Sequence, residues 1–107
     1  MDCIFCKIGK GEIQSNILYQ DEQVFVIKDI HPRVPVHLLI IPKVHIEDFY
    51  DVTDEVLVSA KNAVRKMVDE FKLMGKGYRV VINGGGAQII NHLHFHLMGE
   101  IGLQVKD

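Results

Sequence analysis

The chain has 107 residues, 48% hydrophobic and 24% charged, with a formal net charge of −2. That length fits a single domain, residues 1–107, and the composition is that of a folded globular protein, not a disordered, collagenous or coiled-coil one. The charge balance argues against a nucleic-acid surface, which carries a basic excess, and the longest apolar runs fall well short of the roughly 18–20 residues of a membrane span.

Met1-Asp2-Cys3-Ile4-Phe5-Cys6-Lys7 has an apolar part too short, and too broken by charge, for a signal peptide. A cytoplasmic location is therefore expected, with Cys3 and Cys6 reduced. Cys3 to Gly9 suits a short helical turn ended by Gly9 and Gly11. Asn16 to Tyr19 and Val24 to Asp29 read as two strands with Asp21-Glu22 as the turn between them. Pro32 and Pro35 make Ile30 to Pro35 a loop. His37 to Ile41 is apolar enough for a buried strand, stopped by Pro42.

One long helix is predicted over Thr53 to Met74. Leu57, Ala60, Val64, Met67, Val68 and Phe71 recur at spacings of three and four, opposite a charged face. Thr53 or Asp54 caps its start, and Gly75 and Gly77 mark its end. Tyr78 to Asn83 is a further strand, Gly84-Gly85-Gly86 a loop, and His92 to Met98 the last strand. The expected fold class is α+β: a mostly antiparallel five-stranded sheet, one long helix and a short N-terminal helix. A chain this small gains from a metal staple or a subunit interface.

His92-Leu93-His94-Phe95-His96-Leu97 alternates strictly. On a strand this puts three imidazoles on one face, about 6.6 Å apart, with the apolar residues facing the core. Three readings compete: half-exposed histidines without a task, a catalytic metal site, or metal-free chemistry with one histidine as nucleophile and its neighbours holding an anion. The preceding Asn83-Gly84-Gly85-Gly86-Ala87-Gln88 favours the third, because glycine amides can approach phosphate oxygens. Cys3-x-x-Cys6 is likewise open: a redox dithiol, half of a zinc site, or two small buried thiols. Taken alone, Asp29 can simply cap the following loop, His37 can be a satisfied core histidine, and Lys43 can be a solvated surface residue.

Together these segments resemble the histidine triad superfamily. The resemblance is carried by the triplet, by Cys3-Ile4-Phe5-Cys6-Lys7-Ile8 with Gly11-Glu12-Ile13, by Asp29-Ile30-His31-Pro32 through Pro35 to Lys43, and by Tyr78 to Asn83. It runs in order over nearly the whole chain and is closest to the histidine-triad nucleotide-binding branch.

The resemblance implies His94 as nucleophile, His96 as a contact to phosphate and leaving group, and His37 as the histidine that completes the cluster. It implies Asp29 on the ribose hydroxyls and Asn83 as a phosphate-side or leaving-group contact, with Gly86 and Gln88 in the loop pattern. Phe5, Ile8, Ile13, Ile27 and Ile30 would form an apolar slot around a purine base. His31 receives no role.

The implied activity is hydrolysis of purine nucleoside phosphoramidates through a nucleotidyl-histidine, with no metal required for catalysis. Alternatives are dinucleoside polyphosphate hydrolysis, and a nucleotide-binding regulatory module with negligible turnover. A bond from the second ring nitrogen of His94 to a backbone carbonyl is expected to fix its tautomer. The resemblance also implies a structural zinc held by Cys3, Cys6, His45 and His92, and a homodimer formed through Tyr78 to Asn83 or the long helix. Three features depart from the branch: Ile89 where a hydroxyl residue is common, a short glycine loop, and only 11 residues after His96.

Overall fold

Asp21 starts the sheet. Its Oδ1 accepts the amides of Gln23 and Val24 at 2.8 and 2.9 Å, the local bond that makes aspartate a turn former. It joins β1 (Tyr19–Gln20) to β2 (Val24–Lys28). The structure is a computed structural model and describes residues 3–104. The expectations for Met1-Asp2 and for the tail beyond residue 104 lie outside the described residues. The predicted first strand is shorter than expected. Only Tyr19 and Gln20 pair with β2, although the Leu18 amide still reaches Val26 O at 2.8 Å. Residues 11–16 are exposed and have no apolar face to bury.

β3 (Val36–Pro42) lies between β2 and β5 (Phe95–Gly99), and β4 (Tyr78–Ile82) closes the other edge. The order is β1-β2-β3-β5-β4, with every pairing antiparallel. The fold class is α+β, as expected. β2 and β3 are apolar on both faces because both faces are covered. Val24, Val26, Val36, Leu38, Ile40, Leu93, Phe95 and Leu97 share one core with α2 (Asp54–Glu70). Phe25, Ile27, Leu39 and Ile41 share a second cluster with Cys3, Phe5 and Ile8 of the α1 region (α1, Ile4–Gly9). Each fully buried side chain, such as Leu97 or Ile40 at 0% exposure, contributes about 1.5–3 kcal/mol of transfer free energy.

Thr53 caps α2 by accepting the Val56 amide at 3.3 Å. Asp54 and Glu55 in the first turn suit the positive end of the helix. The apolar stripe is rotated from the predicted one. Val56, Ala60, Ala63, Met67 and Val68 are buried, Val64 and Phe71 pack only partly, and Leu57 is 38% exposed. The helix also ends before Gly75. Lys72 takes the left-handed conformation (φ 56°), and Leu73 N then donates to Val68 O at 2.9 Å, placing Leu73 fully in the core.

The largest correction concerns the last strand. It begins at Phe95, not His92. In the β3–β5 register Ile40 faces Phe95, so continuation would bring Pro42 opposite Leu93. Pro42 has no amide to donate. Leu93 N instead bonds Ile46 O at 2.6 Å, and His92 N bonds Ile90 O at 2.8 Å. Residues 89–92 are therefore a bend, 93–94 lie outside the ladder, and His92 leaves the face that His94 and His96 share.

Candidate active site and metal cluster

The side of the sheet away from α2 carries the histidines. His37 comes from β3, His96 from β5, and His94 from the residue before β5. The His94 and His96 ring centroids are 4.9 Å apart, and those of His37 and His96 5.3 Å. His94 and His37 are buried, and His96 is half-buried. Phe5 of α1 meets His94 edge-on at 5.2 Å and His92 at 5.7 Å.

Hydrogen-bond partners assign the tautomers. His94 Nδ1 donates to His92 O at 2.8 Å, which leaves the lone pair on Nε2. The Arg33 amide donates to His37 Nδ1 at 3.2 Å, so the His37 proton sits on Nε2. From there it reaches His96 Nδ1 at 3.0 Å, with Asp29 Oδ2 at 3.3 Å. His96 then accepts at Nδ1 and carries its proton on Nε2. Burial, reinforced by repulsion from His94 and His37, lowers the His96 pKa to about 4. The cluster thus holds a nucleophilic nitrogen on His94 beside a neutral N–H donor on His96.

Asp29, His37 and His96 also have the composition of a metal site, with ligand atoms within 4.8 Å of one another. The tautomer opposes that use. A metal on His37 Nε2 would displace the proton to Nδ1, against the Arg33 amide. The His37 proton instead lies between His96 Nδ1 and Asp29 Oδ2 and fixes the His96 tautomer.

The second cluster has the opposite logic. His92 Nε2 donates to Pro42 O at 2.8 Å, so its lone pair is on Nδ1 and faces inward. There it meets Cys3 Sγ at 3.2 Å, Cys6 Sγ at 3.5 Å and His45 Nδ1 at 3.1 Å; Cys6 Sγ and His45 Nδ1 are 3.3 Å apart. A tetrahedral zinc with ordinary bond lengths sets ligand edges of about 3.3 Å for N–N and about 3.6 Å for N–S. The four atoms fit such an ion, and the Pro42 carbonyl orients the ligand as outer partners of metal histidines do. His45 Nε2 is buried without a hydrogen-bond partner among the described residues. Glu47 Oε2, 3.5 Å away, does not complete a bond. Burial, and the neighbouring Cys3, raise the Cys6 pKa in the absence of an ion.

The glycine loop departs from its expected use. Gly85 N donates to Asp48 Oδ2 at 2.7 Å, Gly86 N to Gln88 Oε1 at 3.1 Å and Ala87 N to Gly84 O at 3.2 Å. The expected free amide of Gly86 is thus occupied inside the loop. Gln88 is equally engaged, its Nε2 donating to Glu47 O at 2.8 Å. The amides of Gln88 and Ile89 make no such bond among the described residues. Asn83 follows β4 directly, level with His94 in the β4–β5 register.

Of the expected base slot, Phe5, Ile8 and Ile27 lie together in the second core cluster. Ile13 is 38% exposed and Ile30 84%, both outside it. Sequence reasoning missed Asp48, the Arg33 amide and the Pro42 carbonyl. Asp48 has a local signature, as the cap of the short 3-10 turn Phe49–Asp51. The two backbone groups have none.

The HIT domain family model matches residues 10–102. An uncharacterized HIT-like protein of Methanocaldococcus jannaschii is 42% identical over 99 residues, spanning 90% of this chain and 77% of its own. An adenosine 5′-monophosphoramidase of Candida albicans is 38% identical over 104 residues, 90% of this chain and 68% of its own. Among solved structures, a HIT family hydrolase from Clostridium thermocellum superposes with a TM-score of 0.86 at 41% identity, covering 98% of this chain and 97% of that one. A zinc-bound histidine triad family protein from Mycobacterium smegmatis superposes at 0.80 and 30% identity, covering 92% and 75%.

Proposed function

The chain belongs to the HIT domain family, and from that membership and the tautomers of its histidines we propose that it hydrolyses purine nucleoside 5′-phosphoramidates. The observation that carries this reading is the pair His94 and His96, one with its lone pair on Nε2 and one with a neutral Nε2–H, with ring centroids 4.9 Å apart. The phosphoramidase activity of the Candida relative supports the choice of leaving group.

In this reading His94 Nε2 attacks the α-phosphorus. A P–N bond to the enzyme forms as the substrate P–N bond breaks, and the amine leaves with a proton supplied by solvent. The His94 imidazole becomes cationic and keeps its Nδ1–H on His92 O, where the carbonyl dipole stabilises it. Water then attacks phosphorus, the P–N bond to His94 breaks to return the free imidazole, and the nucleoside monophosphate leaves as the water's proton goes back to solvent. Two easier displacements replace one difficult one. His96 Nε2–H offsets charge growing on the phosphate oxygens, and the unoccupied amides of Gln88 and Ile89 hold those oxygens in ground and transition state alike. The His37 Nε2–H bond to His96 Nδ1 holds His96 in its donor tautomer, with Asp29 Oδ2 beside the same proton. Asp29 further offers acceptors to ribose hydroxyls, Asn83 faces the phosphate side, and Phe5, Ile8 and Ile27 back the base.

Cys3, Cys6, His45 and His92 would hold a structural zinc that ties α1 to the bend before β5. Thiols that serve as ligands suit a reducing compartment such as the cytoplasm. The chain acts as one domain and pairs with a second copy through β4. That edge strand exposes Tyr78, Val80 and Ile82, beside exposed Leu57, and a groove of about 210 Å³ runs between it and α2.

The test is to offer adenosine 5′-phosphoramidate and a diadenosine polyphosphate, compare kcat/KM, and trap the intermediate by mass spectrometry. The expected result is faster phosphoramidate turnover with an adenylyl adduct on His94. Faster polyphosphate turnover would reassign the leaving group. Binding of adenosine monophosphate (AMP) without turnover of either would make the protein a binding module.

A further inference from the structure

Asp48 is tied to two distant pieces of chain at once. Its Oδ1 accepts the Tyr50 amide at 2.9 Å, and its Oδ2 accepts the Gly85 amide at 2.7 Å, 37 residues away in sequence. Both bonds are short, as expected for a charged acceptor. The fit is close on the loop side too: a Cβ added at Gly84 would stand 3.2 Å from Asp48 Oδ1. Gly85 and Gly86 take positive φ, 66° and 95°, the turn that brings the Gly85 amide onto the carboxylate. Gln88 adds a second tie, Nε2 to Glu47 O at 2.8 Å, and folds back to accept the Gly86 amide. Just beyond, Leu93 N bonds Ile46 O at 2.6 Å.

The segment Ile46–Asp48 therefore forms a rail, and residues 85–93 are fastened along it at three points. The loop's next amides, Gln88 and Ile89, like those of Ile90 and Asn91, have no intramolecular acceptor among the described residues. Their direction depends on how the rail holds the loop.

We infer that Asp48 is a positioning residue for substrate phosphate: it latches the glycine loop so that the Gln88 and Ile89 amides are aimed at the histidine cluster before substrate arrives. This rests on the proposed phosphate chemistry of that cluster. Asp48 touches neither substrate nor the reacting atoms. The two backbone bonds also lower its pKa below the usual carboxylate range, so the latch is charged at neutral pH. Preorganisation of this kind acts on binding more than on the chemical step.

The experiment compares wild type with Asp48→Ala and Asp48→Asn, using the full chain, AMP as binding probe and adenosine 5′-phosphoramidate as substrate. Hydrogen exchange at the Gly85 amide reads the latch itself. In Asp48→Ala, exchange at Gly85 is expected to accelerate, AMP Kd and substrate KM to rise about tenfold, and kcat to stay within about twofold. Asp48→Asn keeps one carbonyl acceptor for two amides and should fall between. Unchanged Gly85 exchange in Asp48→Ala would overturn the latch. Faster exchange with unchanged AMP affinity would overturn its role in binding. A kcat loss equal to the KM change, with a lowered melting temperature, would mark Asp48 as a general structural residue and overturn the inference. Wild type that binds no nucleotide while Gly85 stays protected would instead defeat the proposed function.

Discussion

His94 Nδ1 and the carbonyl oxygen of His92 are 2.8 Å apart, and this one bond decides which nitrogen of His94 can attack. The bend at residues 89–92 makes it possible. In a regular strand that carbonyl would point along the ladder, not back to a side chain two residues on. Replacing His94 by Ala should lower kcat for adenosine 5′-phosphoramidate by on the order of 10³-fold or more, because the covalent route is lost. AMP affinity should change far less. Mass spectrometry of the variant with substrate should find no adduct; an adduct elsewhere, or retained turnover, would remove His94 as nucleophile.

The depressed pKa of His96, about 4, predicts a pH-dependent stability. An unfolded histidine titrates near 6.5. Between about pH 6.5 and 4 the unfolded chain binds the extra proton, so unfolding becomes easier as pH falls. The contribution is fully present above about pH 6.5 and lost as pH drops through 4. The whole shift corresponds to about 3 kcal/mol. His96 is only half-buried, and solvent screening reduces this to about 1–2 kcal/mol. Urea unfolding at pH 7 and 4 should show wild type losing that much more than His96→Asn. Identical losses would mean that the imidazole is not desolvated. Bound phosphate is expected to raise the pKa, since an anion favours the charged ring.

How much of this was legible beforehand depended on where the deciding partner lay. The paired faces of β2 and β3 were readable because each alternates between two apolar clusters, those of β5 because Phe95 and Leu97 alternate with the histidine face, and the four metal-cluster residues were readable as side-chain types. The direction of His92 was not, because it is set by Pro42, a residue on another strand that cannot donate to the ladder. The occupied Gly85 and Gly86 amides were not readable either, since Asp48 lies 37 residues away and Gln88 folds back onto its own loop. In α2, both the Leu57-centred and the Val56-centred stripes satisfy a 3.6-residue period. Only the docking of the helix on β2 and β3 separates them.

The metal cluster predicts a stability effect separable from chemistry. Purified protein should carry about one zinc per chain, and chelation should lower the melting temperature by roughly 10 °C or more, given the stabilisation expected of a tightly bound ion and the slope for a domain of this size. Cys6→Ser should lower both the metal content and the melting temperature. Elemental analysis with thermal scans checks both; a fully folded, metal-free preparation whose melting is indifferent to chelator would remove zinc from the structure of this protein.

The β4 edge predicts the assembly. Val80 and Ile82 are 41% and 37% exposed on a strand whose outer ladder is unpaired among the described residues, an arrangement that invites another strand. Neighbouring Leu57 and Val64 of α2 line the same groove. A second copy related by a two-fold axis would cover both at once, since an antiparallel partner strand presents the same residues in reverse. Val80→Glu places a charge on this edge while leaving the two cores intact, so the chain should remain folded. Sedimentation equilibrium should then find wild type as a dimer and Val80→Glu as a monomer, with the association weakened on the order of a hundredfold or more. A wild type that is monomeric at tens of micromolar, or a variant that remains dimeric, would place the contact elsewhere or remove it.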